Sequence, residues 1–161
     1  MIADWLTALE ATRLAHTLSD SVWLYPLVNA GHILGIALLV GSMFPLDLRL
    51  LGVWRSVPLA PVWHVLTRTS IVGFVLAVVF GFLLFMTRAT EYAASALFVS
   101  KMAVLVVATV NAVVLRRVVP QEIAGIGPQV GPPNPRLRLA GGVSLVAWLI
   151  VLILGRLVGY F

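Results

Sequence analysis

A chain of 161 residues that is 61% hydrophobic and only 11% charged, against about a quarter charged in a soluble domain, belongs in a membrane rather than in water. The net charge of +5 does not point to nucleic acid, because the basic residues are nearly all arginines at the ends of apolar runs, where they anchor helices at a bilayer surface. The absence of cysteine excludes disulfides, thiolate metal sites and cysteine nucleophiles.

The first twenty residues lack a basic start and carry three acids, Asp4, Glu10 and Asp20, so they do not resemble a cleavable signal peptide. At 100° per residue Ile2, Trp5, Leu6, Leu9 and His16 fall on one side. That pattern predicts an amphipathic helix over 3–18, either lying at the interface with Trp5 at headgroup depth or continuous with the first span. Ser19, Asp20 and Ser21 offer a cap and a turn, and Pro26 suits the first turn of a new helix.

The first span, over 22–44, is the centre of interest. Tyr25, Asn29, His32, Ile36, Leu39 and Met43 share a stripe that should face the bundle. An imidazole at this depth costs free energy unless it has a partner, which makes His32 the first candidate for chemistry. Pro45 should end or kink the helix and bring Asp47 and Arg49 to the polar surface, where a pair between Asp47 and an arginine would contribute little.

Span two is expected over 64–86, with Ser70, Gly73, Ala77 and Gly81 forming a small-residue ridge that lets another helix approach closely. The short return through Arg88 and Glu91 makes spans two and three antiparallel neighbours. Span three, over 94–115, carries Lys101 near its start and Asn111 towards its end. Lys101 either snorkels to the headgroups or contacts an anionic group in the bundle. Residues 120–135, rich in Gly and Pro, read as a flexible loop before span four at 137–157. The whole is expected to be one membrane domain over 1–161: an all-α bundle of four transmembrane helices with an N-terminal interfacial helix.

Arg49, Arg55, Arg68, Arg116, Arg117, Arg136 and Arg138 lie on one side, against Arg13, Arg88, Lys101 and Arg156 on the other. The richer side should be cytoplasmic, leaving both termini outside a bacterial inner membrane.

No phosphate loop, HExxH or GxSxG motif occurs. Imidazole inside a helical membrane bundle is a common axial ligand of haem b. His32 and His64 sit near opposite surfaces and make a poor axial pair. His16 with His32 is better, with Tyr25 or Asn29 supporting the ring, and a single histidine ligand is equally open. So is the alternative in which His32 hydrogen-bonds Asn29 or a group on a facing helix and binds nothing. Copper would need ligands folded in from Met86, Met102 or His16, since His32 and Met43 lie about 16 Å apart along one helix. A non-catalytic subunit packing through the Ser70 to Gly81 ridge into other membrane subunits, or into a homo-oligomer, is the remaining class.

The segments His32-Ile33-Leu34-Gly35, Gly41, Asp47 to Gly52, Ser100-Lys101-Met102, Asn111 and Arg116 resemble those of a group of small bacterial four-helix membrane proteins. More distantly the chain resembles the HemJ-type protoporphyrinogen oxidases and the membrane part of CopD-type copper proteins. The former resemblance implies haem binding, with His32 matching the haem-associated histidine, Arg49 the arginine ending the first span and Lys101 the lysine opening a later one. Lys101 or Arg49 would then contact propionates or a quinone-like acceptor. Where those oxidases carry a second histidine, this chain has Asn111.

Overall fold

The computed structural model describes residues 1–124 and 134–160, and within these every side chain except those of residues 2 and 122–124. Among the described residues there are helices and no strands: α1 (Ile2–Glu10), α2 (Arg13–Asp20), α3 (Leu24–Leu51), α4 (Leu59–Met86), α5 (Ala89–Ala94), α6 (Ala96–Ala124) and α7 (Pro135–Leu157). Helices α3, α4, α6 and α7 are each long and apolar enough to cross a bilayer. At 1.5 Å per residue the shortest, of 23 residues, reaches about 35 Å.

Their outward surfaces are apolar along their length. Val72, Val75 and Phe82 on α4, Val106 and Val110 on α6, and Val146 and Ile153 on α7 are all exposed. Water would oppose such a surface and hydrocarbon accepts it, so this is a multi-pass integral membrane protein. Four crossings return the chain to the side where it began. One end of the bundle therefore holds α1, α2, α5 and the C-terminus (the terminal end), and the other holds the α3–α4 and α6–α7 connections (the basic end).

The N-terminal segment differs from the single helix expected over 3–18. Thr12 breaks it by capping a second helix, its hydroxyl accepting the Ala15 N–H at 3.3 Å. Leu6, Ala15 and Leu18 are the buried residues here, while Trp5 and His16 are exposed. Helix α5, in the segment where the sequence suggests only a short return, docks on α1 through Glu10, whose carboxylate accepts both the N–H and the hydroxyl of Thr90 at 2.8 Å. The rings of Phe85, Tyr92 and Phe98, with centroids 5.4–6.2 Å apart, pin the same turn.

Of the stop or kink expected at Pro45, the stop does not occur: α3 runs through Pro45 to Leu51. A proline inside a helix removes one ladder hydrogen bond, a loss that packing on both sides can outweigh. The stop comes at Gly52, where φ is 100° and Val53 N–H reaches back to Leu48 O at 2.9 Å, a Schellman closure that needs a residue tolerant of left-handed backbone. Helix α6 likewise extends beyond 115, through Pro120 to Ala124. Of the loop expected over 120–135, residues 125–133 lie outside the described residues. Asn134 opens α7 by accepting the Arg136 N–H at 3.1 Å.

Helix α3 packs along α4 on one side and α7 on the other, and α7 packs on α6. The α3–α4 contact is very close: a Cβ on Gly35 would strike the Ala77 backbone, and one on Gly73 would strike the Leu39 backbone nitrogen and lie 2.8 Å from Gly35 O. Lipid tails provide no hydrophobic drive between helices, so this backbone-to-backbone fit supplies the dispersion contacts that hold the pair. The ridge at Gly73, Ala77 and Gly81 is thus occupied by α3 within the chain, and a partner helix would need another face. The buried apolar core lies towards the basic end, where Leu46, Leu50, Leu59, Trp63, Val119 and Trp148 meet.

Candidate functional site

His32 stands eight residues into α3, about 12 Å along its axis. Its Nδ1 lies 2.8 Å from the backbone carbonyl oxygen of Ala77 on α4. A carbonyl can only accept, so Nδ1 carries a proton, and in the neutral imidazole Nε2 keeps its lone pair. Glycine at position 81 makes room for the ring, since a Cβ there would lie 2.8 Å from Cε1 and 3.0 Å from Nδ1. The small residue serves the imidazole as well as the helix contact.

Lys101, five residues into α6, lies across α7, its Nζ 3.4 Å from where a Cβ on Gly155 would stand. It is half-buried, close enough to His32 to act on it electrostatically, and has no ion-pair partner among the described residues. The structure therefore brings His32, Ala77, Gly81 and Lys101 into the terminal half of the bundle.

The other expected participants are placed elsewhere. Tyr25 and Asn29 are exposed, and neither is the hydrogen-bond partner of the imidazole; the stripe on which they lie turns outward in its first turns. His16 is exposed on α2. His64 is thirteen residues from Ala77 on α4, about 20 Å along the axis. Arg49 is about 25 Å from His32 by the same measure. Met43 is buried in the basic-end core, and no group of three or more His, Cys, Asp or Glu converges among the described residues. Asn111 bonds the Ala140 carbonyl on α7 at 3.0 Å, a helix-to-helix tie.

The basic end holds a second polar group that sequence reasoning placed on the surface. Asp47 and Arg49 are 0% and 1% exposed, because α3 continues through Pro45 and carries both back into the bundle. Arg49 Nε donates to Val57 O at 2.8 Å, fastening the α3–α4 connection. Asp47 faces Gly141 and Ser144 of α7. The Ser144 hydroxyl is near enough to influence the carboxyl, yet neither side chain makes a hydrogen bond of good geometry. The signal for this face is the spacing Gly141, Ser144, Trp148, which puts a glycine, a hydroxyl and an indole about one turn apart on α7.

Two cavities accompany these groups. A crevice of about 930 Å³ runs between α6 and α7, with Pro135 and Arg138 at the basic end and apolar walls such as Val107, Val146 and Ile150. A smaller one, about 130 Å³, lies where α4 and α6 face each other across Leu39 and Trp148. His32 lines neither. No protein-family model, no curated protein and no solved structure matches the chain.

Proposed function

We propose that this is a haem b- or porphyrin-binding electron-transfer protein of the bacterial inner membrane, with His32 as its axial ligand. The observation that supports this reading is the Nδ1 bond to Ala77 O at 2.8 Å. Ligating histidines are ordinarily held in this way, one ring nitrogen donating to a carbonyl so that the other presents its lone pair in a fixed direction. The residues suit a single histidine ligand: Nε2 of His32 would hold the iron, and Lys101 would face a propionate. Haem, when bound, would supply one-electron chemistry at membrane depth, and the Ala77 carbonyl would fix the orientation of the imidazole. The basic end is assigned to the cytoplasm and both termini to the outside by the distribution of arginine.

The test is the visible spectrum of detergent-purified protein from haem-supplied cells, oxidised and dithionite-reduced. A b-type spectrum is expected in the wild type and in His16→Ala, and its loss in His32→Ala. A wild-type spectrum without a Soret band, from protein that is folded and monodisperse, overturns the assignment.

A further inference from the structure

The 130 Å³ cavity between α4 and α6 is walled by the rings of Trp63, Phe74 and Trp148 and by Leu39, Met43 and Leu46. It starts seven residues along α3 from His32, about 10 Å, and His32 is not part of its lining. Three polar side chains on its lining are already engaged with backbone. Ser70 donates to Thr67 O at 2.8 Å, Thr109 donates to Leu105 O at 2.8 Å, and Arg116 reaches Thr67 O at 3.4 Å. The Thr67 hydroxyl and the indole Nε1 of Trp148, by contrast, are buried without a hydrogen-bond partner, and Trp148 is only 4% exposed.

An indole nitrogen can only donate, so its missing partner is an acceptor. Leaving such donors unmatched away from water is costly. The size of the space narrows the choice, being close to that of an engineered cavity of about 150 Å³ that takes up benzene. Aromatic walls favour a flat ring over a cluster of waters. At the mouth, Ile71 and Val113 are 39% and 45% exposed, which gives an apolar tail a way out to lipid.

We propose that this cavity binds the ring of a membrane quinone, its carbonyl oxygens accepting from Trp148 Nε1–H and the Thr67 hydroxyl, with the tail leaving between Ile71 and Val113. The ligand class is a six-membered ring with carbonyl acceptors and an apolar chain.

The test uses haem-free full-length protein in nanodiscs and labelled decyl-1,4-benzoquinone, with bound ligand measured directly by flow dialysis so that loss of a tryptophan does not affect the readout. Saturable binding near one per chain is expected. Thr67→Val and Trp148→Phe should each weaken it about five-fold, the effect of one neutral hydrogen bond. Thr67→Ser should keep it, and Ala112→Leu, which fills the cavity, should abolish it. Decylbenzene, with the same shape and no acceptor, should compete poorly. Unsaturable partitioning overturns the proposal, and so does binding that Thr67→Val leaves unchanged and decylbenzene matches. Melting midpoints of every variant establish that it is folded, and if Trp148→Phe is not, the Thr67→Val and Thr67→Ser pair decides.

Discussion

At the residue scale, the polar side chains inside the spans divide by how their bonding capacity is met. His32 and Asn111 each find a backbone carbonyl on a neighbouring helix, at 2.8 and 3.0 Å, which is the usual way to hold a polar group in a bundle. The Asp47 carboxyl needs donors instead, and neither of its oxygens has one in hydrogen-bond geometry. A carboxyl fully enclosed at the α3–α7 contact without a hydrogen bond lowers stability, so Asp47→Asn, which keeps the shape and removes the possibility of charge, should stabilise the protein by about 1–3 kcal/mol. Thermal unfolding in detergent measures this, and a fall in the melting midpoint would mean that the carboxyl has a favourable partner. His32 was legible in the sequence because a polar residue stands out in an apolar run. The burial of Asp47 and Arg49 was not, because their position beyond Pro45 resembles a helix exit, and only the packing of α3 against α7 carries the helix onward.

At the element scale, the glycines of α3 and α4 are not equivalent. Nothing lies within 4 Å of a Cβ built on Gly41, whereas one on Gly73 meets the backbone of α3. The same substitution should therefore act with opposite sign. Gly41→Ala should stabilise by up to about 1 kcal/mol through helix propensity, and Gly73→Ala should destabilise by about 1–3 kcal/mol by forcing the helices apart. Denaturation of both variants in one detergent is the comparison to make.

The contact between α1 and α5 depends on an ionised group. The Thr90 N–H, then its hydroxyl, hold the Glu10 carboxyl below its ordinary value of 4.5. A lowered value in the docked state means that the contact has its full strength above about pH 4.5 and weakens as pH falls through the lowered value. Hydrogen exchange at the Thr90 amide should accelerate relative to its neighbours in acid. Glu10→Gln should remove that pH dependence. This contact joins residues 80 apart, and nothing local in either segment announces it.

At the scale of the whole molecule, the exposed faces are the lipid boundary and the buried apolar core is gathered at the basic end. The four crossings put the two termini on one side, so a reporter at either end senses the same compartment. In the proposed orientation, alkaline phosphatase fused to the C-terminus should be active in cells and fusions at Arg55 inactive. The reverse pattern would invert the protein in the membrane.

Composition and the lengths of the apolar runs determined by themselves that this chain is an all-α bundle of four membrane-crossing helices, since about 20 apolar residues have no stable alternative in lipid. They also located the small-residue ridge on α4 and marked His32. Only the tertiary structure decided which helix fills that ridge and that the His32 ring bonds Ala77 rather than Asn29. It alone brought Lys101 near His32 while leaving Arg49 at the far end, and it alone enclosed Asp47, Ser144 and Trp148. The reason is physical: periodicity says which residues share a face, but the partner of a face depends on how closely two backbones approach, and that is set by glycines on both helices at once.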